Sequence, residues 1–248
     1  MSRGWFFSHT TAAHLWGMPL DRRSGRSDVH VSALVPAKGP RGRGVIGHRL
    51  SDPLMTIDDL DGLLVADPLS TWCQSATLLE MDDLVAVADH LVLQPVYGPP
   101  QHGFTVAELA DRVRRHHGHG ARRLAAALPL VRIGAESRPE TLIRLALGRA
   151  GPPDPELNVE IRDAGGRFVA RVDMLYRAWG VVVEYDGDHH RTSTAQYERD
   201  MTRLDALHDC GLRVVRIRRA GLAHRAAVGA AAVTRALRAA GWPGPGSP

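Results

Sequence analysis

The stretch Arg167-Phe-Val-Ala-Arg-Val-Asp-Met-Leu-Tyr-Arg-Ala-Trp-Gly-Val-Val-Val-Glu-Tyr-Asp-Gly-Asp-His-His190 decides how the second half of this chain folds, because two short apolar runs in it carry acids at fixed intervals. Positions 168–176 and 181–186 are rich in β-branched and aromatic residues and are separated by Arg177-Ala-Trp-Gly180, which predicts an antiparallel hairpin. A symmetric loop of two or four residues makes paired positions sum to 357, so Asp173 stands opposite Glu184. Asp186 lies two residues beyond Glu184, and the period-2 pleat sends it to the same face.

Like charges facing each other across two strands destabilise the pair, so three acids inside an apolar hairpin call for a compensating partner. A hard divalent ion such as Mg2+ or Mn2+ supplies one, since it takes oxygen ligands, usually one or two carboxylates with water and a substrate phosphate. Such an ion lowers the pKa of a bound water and neutralises charge on a scissile phosphate, which is the chemistry of phosphodiester hydrolysis. Solvated acids at a strand end are the plainer reading of the same residues.

With 248 residues, 44% of them hydrophobic, the chain suits two modest domains, each with its own core. No apolar run approaches the roughly 20 residues that span a bilayer, and the first residues lack a signal-peptide layout. The expectation is therefore a soluble, cytoplasmic protein with no membrane partner. Cys73 and Cys210 are far apart and in no metal-ligand spacing, which suits free thiols in a reducing compartment. Net charge is +4, and Lys38 is the one lysine among 31 basic residues, a mild surplus that fits a polyanionic partner.

In chain order, Ser8 caps a helix that Gly17 and Pro19 close. Strands follow at 29–35 and 45–50 around the loop 36–44, whose Arg41-Gly-Arg43 reads first as the solvated basic tip of a hairpin and second as a minor-groove hook. Residues 60–66 form one more strand, Asp67-Pro68 opens a helix to about 79, and 82–93 is a helix with Leu84, Val85, Ala88, Leu91 and Val92 on one stripe. A Pro/Gly-rich link over 94–103 precedes a helix over 105–117 that opens on a Thr105/Glu108 capping box. His116, His117 and His119 read as cations near a helix C-terminus, since no carboxylate or cysteine accompanies them in metal-ligand spacing. An Arg/Leu/Ala-rich helix over 121–130 ends this half.

The second half opens on another capping box, Ser137 with Glu140. Glu140 is then either a cap alone or an acid that the first helical turn brings to the hairpin carboxylates. A strand over 157–162, the hairpin, a helix over 192–209, a strand over 212–217, a helix over 223–239 and a disordered tail over 241–248 complete the order. The fold class is α/β (α+β), with helices around a small mixed sheet.

At this point the residues carry a resemblance. Asp173, Val-Glu184-Tyr-Asp186-Gly-Asp-His-His190, Glu-Arg199-Asp200-Met-Thr-Arg203 and Gly211-Leu-Arg-Val-Val-Arg216 resemble the very-short-patch-repair-like endonuclease domain of the PD-(D/E)XK restriction-endonuclease superfamily, over roughly residues 135–220. The resemblance implies a restriction-endonuclease-like sheet, Mg2+ or Mn2+ held by Asp173 and Glu184, and Glu140 as the helix acid. It implies His190 as general acid or water-orienting group, and DNA phosphate contacts from Arg199, Arg203, Arg216 and Arg218. Asp186 stands where that superfamily usually has a catalytic lysine.

The first half, through Phe7-Ser-His-Thr-Thr-Ala-Ala-His-Leu-Trp-Gly17 and Asp67-Pro-Leu-Ser-Thr-Trp72, is similar to the abortive-infection type IV antitoxin and regulator family of actinobacteria. That family usually begins with a winged helix-turn-helix, which the first residues here do not read as. The expected layout is a regulator-like domain over 1–130, a nuclease domain over 131–240 and the tail over 241–248. The expected function is metal-dependent DNA endonuclease; the alternative is a non-catalytic DNA-binding regulator or antitoxin with a relic nuclease domain. DNA is the expected partner in both, with a homodimer or a protein bound through the first domain as further company.

Overall fold

The computed structural model describes residues 4–21, 28–95, 98, 101–187 and 194–245. The chain divides into two compact units, Met1–Ile133 and Gly134–Pro248. No helix among the described residues is long and apolar enough to cross a membrane.

The first unit runs β1 (Trp5–Phe7), α1 (His9–Leu15), β2 (Val29–Leu34), β3 (Val45–Leu50), β4 (Ile57–Leu60), β5 (Leu63–Ala66), α2 (Pro68–Ser75), α3 (Met81–Leu91), α4 (Val106–Arg115) and α5 (Ala121–Ala127). Its strands form one mixed sheet in the order β3-β2-β1-β5-β4. Helix starts are fixed by local chemistry. Asp67 accepts from the Ser70 backbone N–H at 2.9 Å, and Thr105 and Glu108 close a reciprocal capping box. Trp72 of α2 is fully buried and donates its indole N–H to the Leu84 carbonyl at 3.0 Å, which joins α2 to α3.

Two expectations for this unit are corrected. β2 and β3 are parallel, Val29 beside Val45 and Leu34 beside Leu50, so residues 35–44 form a return crossing and Arg41-Gly-Arg43 is no hairpin tip. That crossing presses on β3. A Cβ on Gly47 would overlap the Pro40 carbonyl oxygen, so only glycine admits the approach. The run 60–66 is likewise two strands, because Asp61 (φ 51°) and Gly62 (φ 82°) both take left-handed backbone and turn β4 back on β5. The short strand β1, whose Phe6 is fully buried, was not expected from the sequence.

The second unit runs α6 (Arg138–Ala150), β6 (Glu156–Arg162), β7 (Phe168–Tyr176), β8 (Val181–Asp186), α7 (Thr194–Asp209), β9 (Arg213–Arg218) and α8 (Ala223–Ala239), the expected order of helices and strands. The sheet order is β6-β7-β8-β9, antiparallel except for the β8–β9 edge. Val181, Val182 and Val183 are all buried because both faces of β8 are covered. Val181 and Val183 pack with Ile143 and Leu147 of α6 and with Val233 and Leu237 of α8; Val182 packs with Leu207 of α7. The expected disordered tail over 241–248 is corrected at its start, residues 246–248 lying outside the described residues. Trp242 is 6% exposed and lies in the α6–α8 core, where its apolar area outweighs the entropy of ordering a short terminus.

One irregularity positions the site. Leu157 packs with the α6–α8 layer and Val159 with the α7 layer, although a regular pleat would keep both on one face. Across from them Met174 and Val172 divide the same way. Pairing is present at Leu157↔Met174 and Val159↔Val172, and Asn158 between them has φ 51°. The two strands thus break step together at Asn158 and Asp173.

Candidate functional site of the second unit

The β7–β8 ladder pairs Met174 with Val183, Leu175 with Val182 and Tyr176 with Val181, the predicted sum of 357. Asp173 and Glu184 are the next positions of that register. Here the ladder gives way to a side chain: an Asp173 carboxylate oxygen accepts the Tyr185 backbone N–H at 2.8 Å.

Glu140 enters from the first turn of α6, where Ser137 is the N-cap. Its carboxylate accepts from the Glu136 backbone N–H at 2.8 Å, the Ser137 hydroxyl at 2.6 Å and the Asn158 amide at 3.1 Å. Burial pushes its pKa up to about 7, and the negative charge of Asp173 adds to the rise against the pull of those three donors. Burial likewise raises the pKa of Asp173, the charges of Glu184 and Glu136 add to it, and the Tyr185 N–H and Arg203 oppose it. Acids from α6, β7 and β8 therefore feel one another through a weakly solvated region, and the cap and site roles of Glu140 coexist.

Glu184 is 7% exposed, and Arg203 of α7 donates to both of its oxygens, one at 3.1 Å. The same guanidinium donates to the Arg171 carbonyl at 2.8 Å. Arg171 in turn pairs with Glu136. Asp186 lies opposite Arg218 in the β8–β9 register, with the Arg218 Nε 3.8 Å from its carboxylate. Arg216 is beside Glu184 in that register and half-buried, while Arg199 and Arg218 are exposed. His190 lies outside the described residues.

Asp173 and Glu184 offer the oxygen donors that Mg2+ or Mn2+ takes, but an ion at Glu184 must displace the Arg203 guanidinium. Among the described residues, no three acids in this unit bring ligand atoms within 4.8 Å of one another; one set that does, His9, His30 and His48, lies in the first unit. Sequence reasoning missed Asn158, Glu136 and Arg171. A lone Asn inside an otherwise alternating strand was the available signal for Asn158. Nothing local marks the other two, because their pairing joins residues 35 positions apart.

In comparisons with known proteins, the chain matches no family model, no curated protein and no solved structure.

Proposed function

We propose that the second unit is a metal-dependent DNA endonuclease of the very-short-patch-repair-like, PD-(D/E)XK kind. The observation that carries this reading is the electrostatic coupling of Asp173 with Glu140 on one side and with Glu184 on the other, acids from three separate elements, with burial first and this repulsion second raising the pKa of Glu140 and Asp173. A structural core has no use for such repulsion, whereas a divalent cation would relieve it. The order helix, three strands, helix, strand and the placement of α7 over Glu184 support the same reading. Bound Mg2+ or Mn2+ would activate a water and neutralise the scissile phosphate. Asp173 and Glu184 would hold the ion, and Glu140 would be the acid that the first turn of α6 sets beside Asp173.

One observation favours a second reading, a non-catalytic DNA-binding regulator. Arg203 already neutralises Glu184, and Asp186 stands in place of a lysine. Incubation of the full chain with supercoiled, linear and mismatched DNA in Mg2+, Mn2+ or EDTA, beside Glu184→Ala, separates the two. Metal-dependent cleavage that vanishes in the variant supports the nuclease. Salt-sensitive binding without cleavage on every substrate overturns it in favour of the regulator.

A further inference from the structure

Three histidines meet in the first unit, far apart in sequence: His9 at the start of α1, His30 on β2 and His48 on β3. Each offers a ring nitrogen, and the three nitrogens lie within 4.8 Å of one another. His30 Nδ1 is 2.9 Å from His48 Nε2, so these two rings share one proton. The His9 ring stacks on His48 with centroids 3.8 Å apart.

Its backbone adds an independent observation. His9 has φ 51°, in the left-handed region where a residue other than glycine costs about 1 kcal/mol or more. The strained backbone is held by the Gln74 side chain, which accepts the His9 N–H at 3.1 Å. A glycine or asparagine would sit there more easily than histidine.

We propose that His9, His30 and His48 form a three-histidine site for a Zn2+-class transition-metal ion, with the fourth coordination position open to a cavity. This inference is independent of the nuclease reading, which concerns hard ions on carboxylates of the other unit. Imidazole nitrogen selects Zn2+, Co2+, Ni2+ or Cu2+ over Mg2+. Two imidazole nitrogens on a tetrahedral ion are about 3.3 Å apart given Zn–N near 2.0–2.1 Å. The His30–His48 pair must then open by only about 0.4 Å, and His9 must close by about 1.5 Å at most. Because a nitrogen lone pair lies in the ring plane, the three near-parallel rings, with interplanar angles of 28°, 21° and 10°, would have to turn about χ2, a broad torsion, to converge on an ion.

Proton balance is simple. The ion takes the place of the proton between His30 and His48; the ring that donated it carries its N–H on the other nitrogen, and both rings stay neutral. Ser8 Oγ sits 2.9 Å from His9 Nδ1, and Ser32 donates to Ser8 at 2.6 Å, the kind of outer contact that fixes a ligand ring with Nε2 toward the metal. His9 and His48 also line a cavity of about 740 Å3 with Asp52, His116 and His119 on its wall. A water or small anion on the fourth position would face this cavity, the open arrangement of reactive rather than purely structural zinc sites.

The test uses the full chain without a polyhistidine tag, titrated with Co2+ or Zn2+ alone. One ion per chain is expected, with the visible absorption of four-coordinate Co2+. His48→Gln and His9→Asn should each weaken binding by more than about 100-fold, beyond the 10- to 100-fold effect of outer-contact changes. A triple variant, His116→Gln, His117→Gln and His119→Gln, should bind as tightly as the parent. Should the ligand variants fail to fold, X-ray absorption on the Zn2+-loaded parent reads the shell directly, with three imidazoles expected. Absence of stoichiometric binding, binding that persists without His48 and His9, binding lost only in the triple variant, or a shell of carboxylate oxygens would each overturn the proposal.

Discussion

Arg203 on α7 grips both carboxylate oxygens of Glu184 on β8, nineteen residues away in sequence. Glu184 is almost fully buried beside Asp173, so this guanidinium neutralises an acid whose repulsion would otherwise act on the sheet. Arg203→Ala should therefore destabilise the metal-free second unit by about 2 kcal/mol, below the range for a fully buried pair because Arg203 is partly exposed. If the acids hold a divalent ion, Mn2+ should raise the melting temperature of Arg203→Ala more than that of the parent. An equal response in both would count against an ion at Glu184.

Glu140 gives the second unit a pH dependence of unusual sign. Its folded pKa of about 7 lies above the ordinary value of 4.5, so the folded state holds a proton that the unfolded chain releases between those values. Stability is present in full below pH 4.5 and falls as pH rises towards 7, by roughly 3 kcal/mol at most. Glu140→Gln keeps an oxygen for Asn158 and the Glu136 N–H and removes the titration. Urea unfolding at pH 5 and pH 8 should show a flattened profile, with the variant more stable than the parent at pH 8.

His102 works in the opposite direction in the first unit. Burial, then the neighbouring His90, lowers its pKa to about 4, so the unfolded chain takes up a proton below pH 6.5 that the folded state resists. Its contribution is complete above pH 6.5 and is lost as pH falls to 4. His102→Leu should blunt acid unfolding of this unit between those values, read by tryptophan fluorescence against pH.

Gly47→Ala should destabilise the first unit by roughly 1–3 kcal/mol, since the added methyl meets the Pro40 carbonyl, a backbone atom that has no rotamer to escape into. Gly42→Ala, whose methyl would meet open space, is the control and should change the melting temperature little.

Trp242→Ala should cost the second unit roughly 3 kcal/mol, because it empties a large volume from the α6–α8 core. A truncation after residue 240 should cost at least as much in chemical denaturation. Stability unchanged by either would mean that the C-terminal residues add nothing to the core.

The sequence by itself determined what depends on neighbours along the chain. The capping boxes at Thr105 and Ser137, the apolar periodicity of α3, the valine-rich run of β8 and the β7–β8 register over Met174–Tyr176 and Val181–Val183 are all local, since a helix cap spans four residues and a hairpin loop fixes its own pairing. The Asp61-Gly62 turn is equally local, its signal being two adjacent residues that tolerate left-handed backbone. The tertiary structure decided everything that joins distant segments. Parallel pairing of β2 with β3 rests on a crossing packed against Gly47, and no turn residue announces it. The Arg203–Glu184 pair, the Asn158–Glu140 bond and the convergence of His9, His30 and His48 depend on which surfaces the core brings together. A charged or polar side chain reads as solvated until burial removes its water, and burial belongs to the folded chain rather than to any window of sequence.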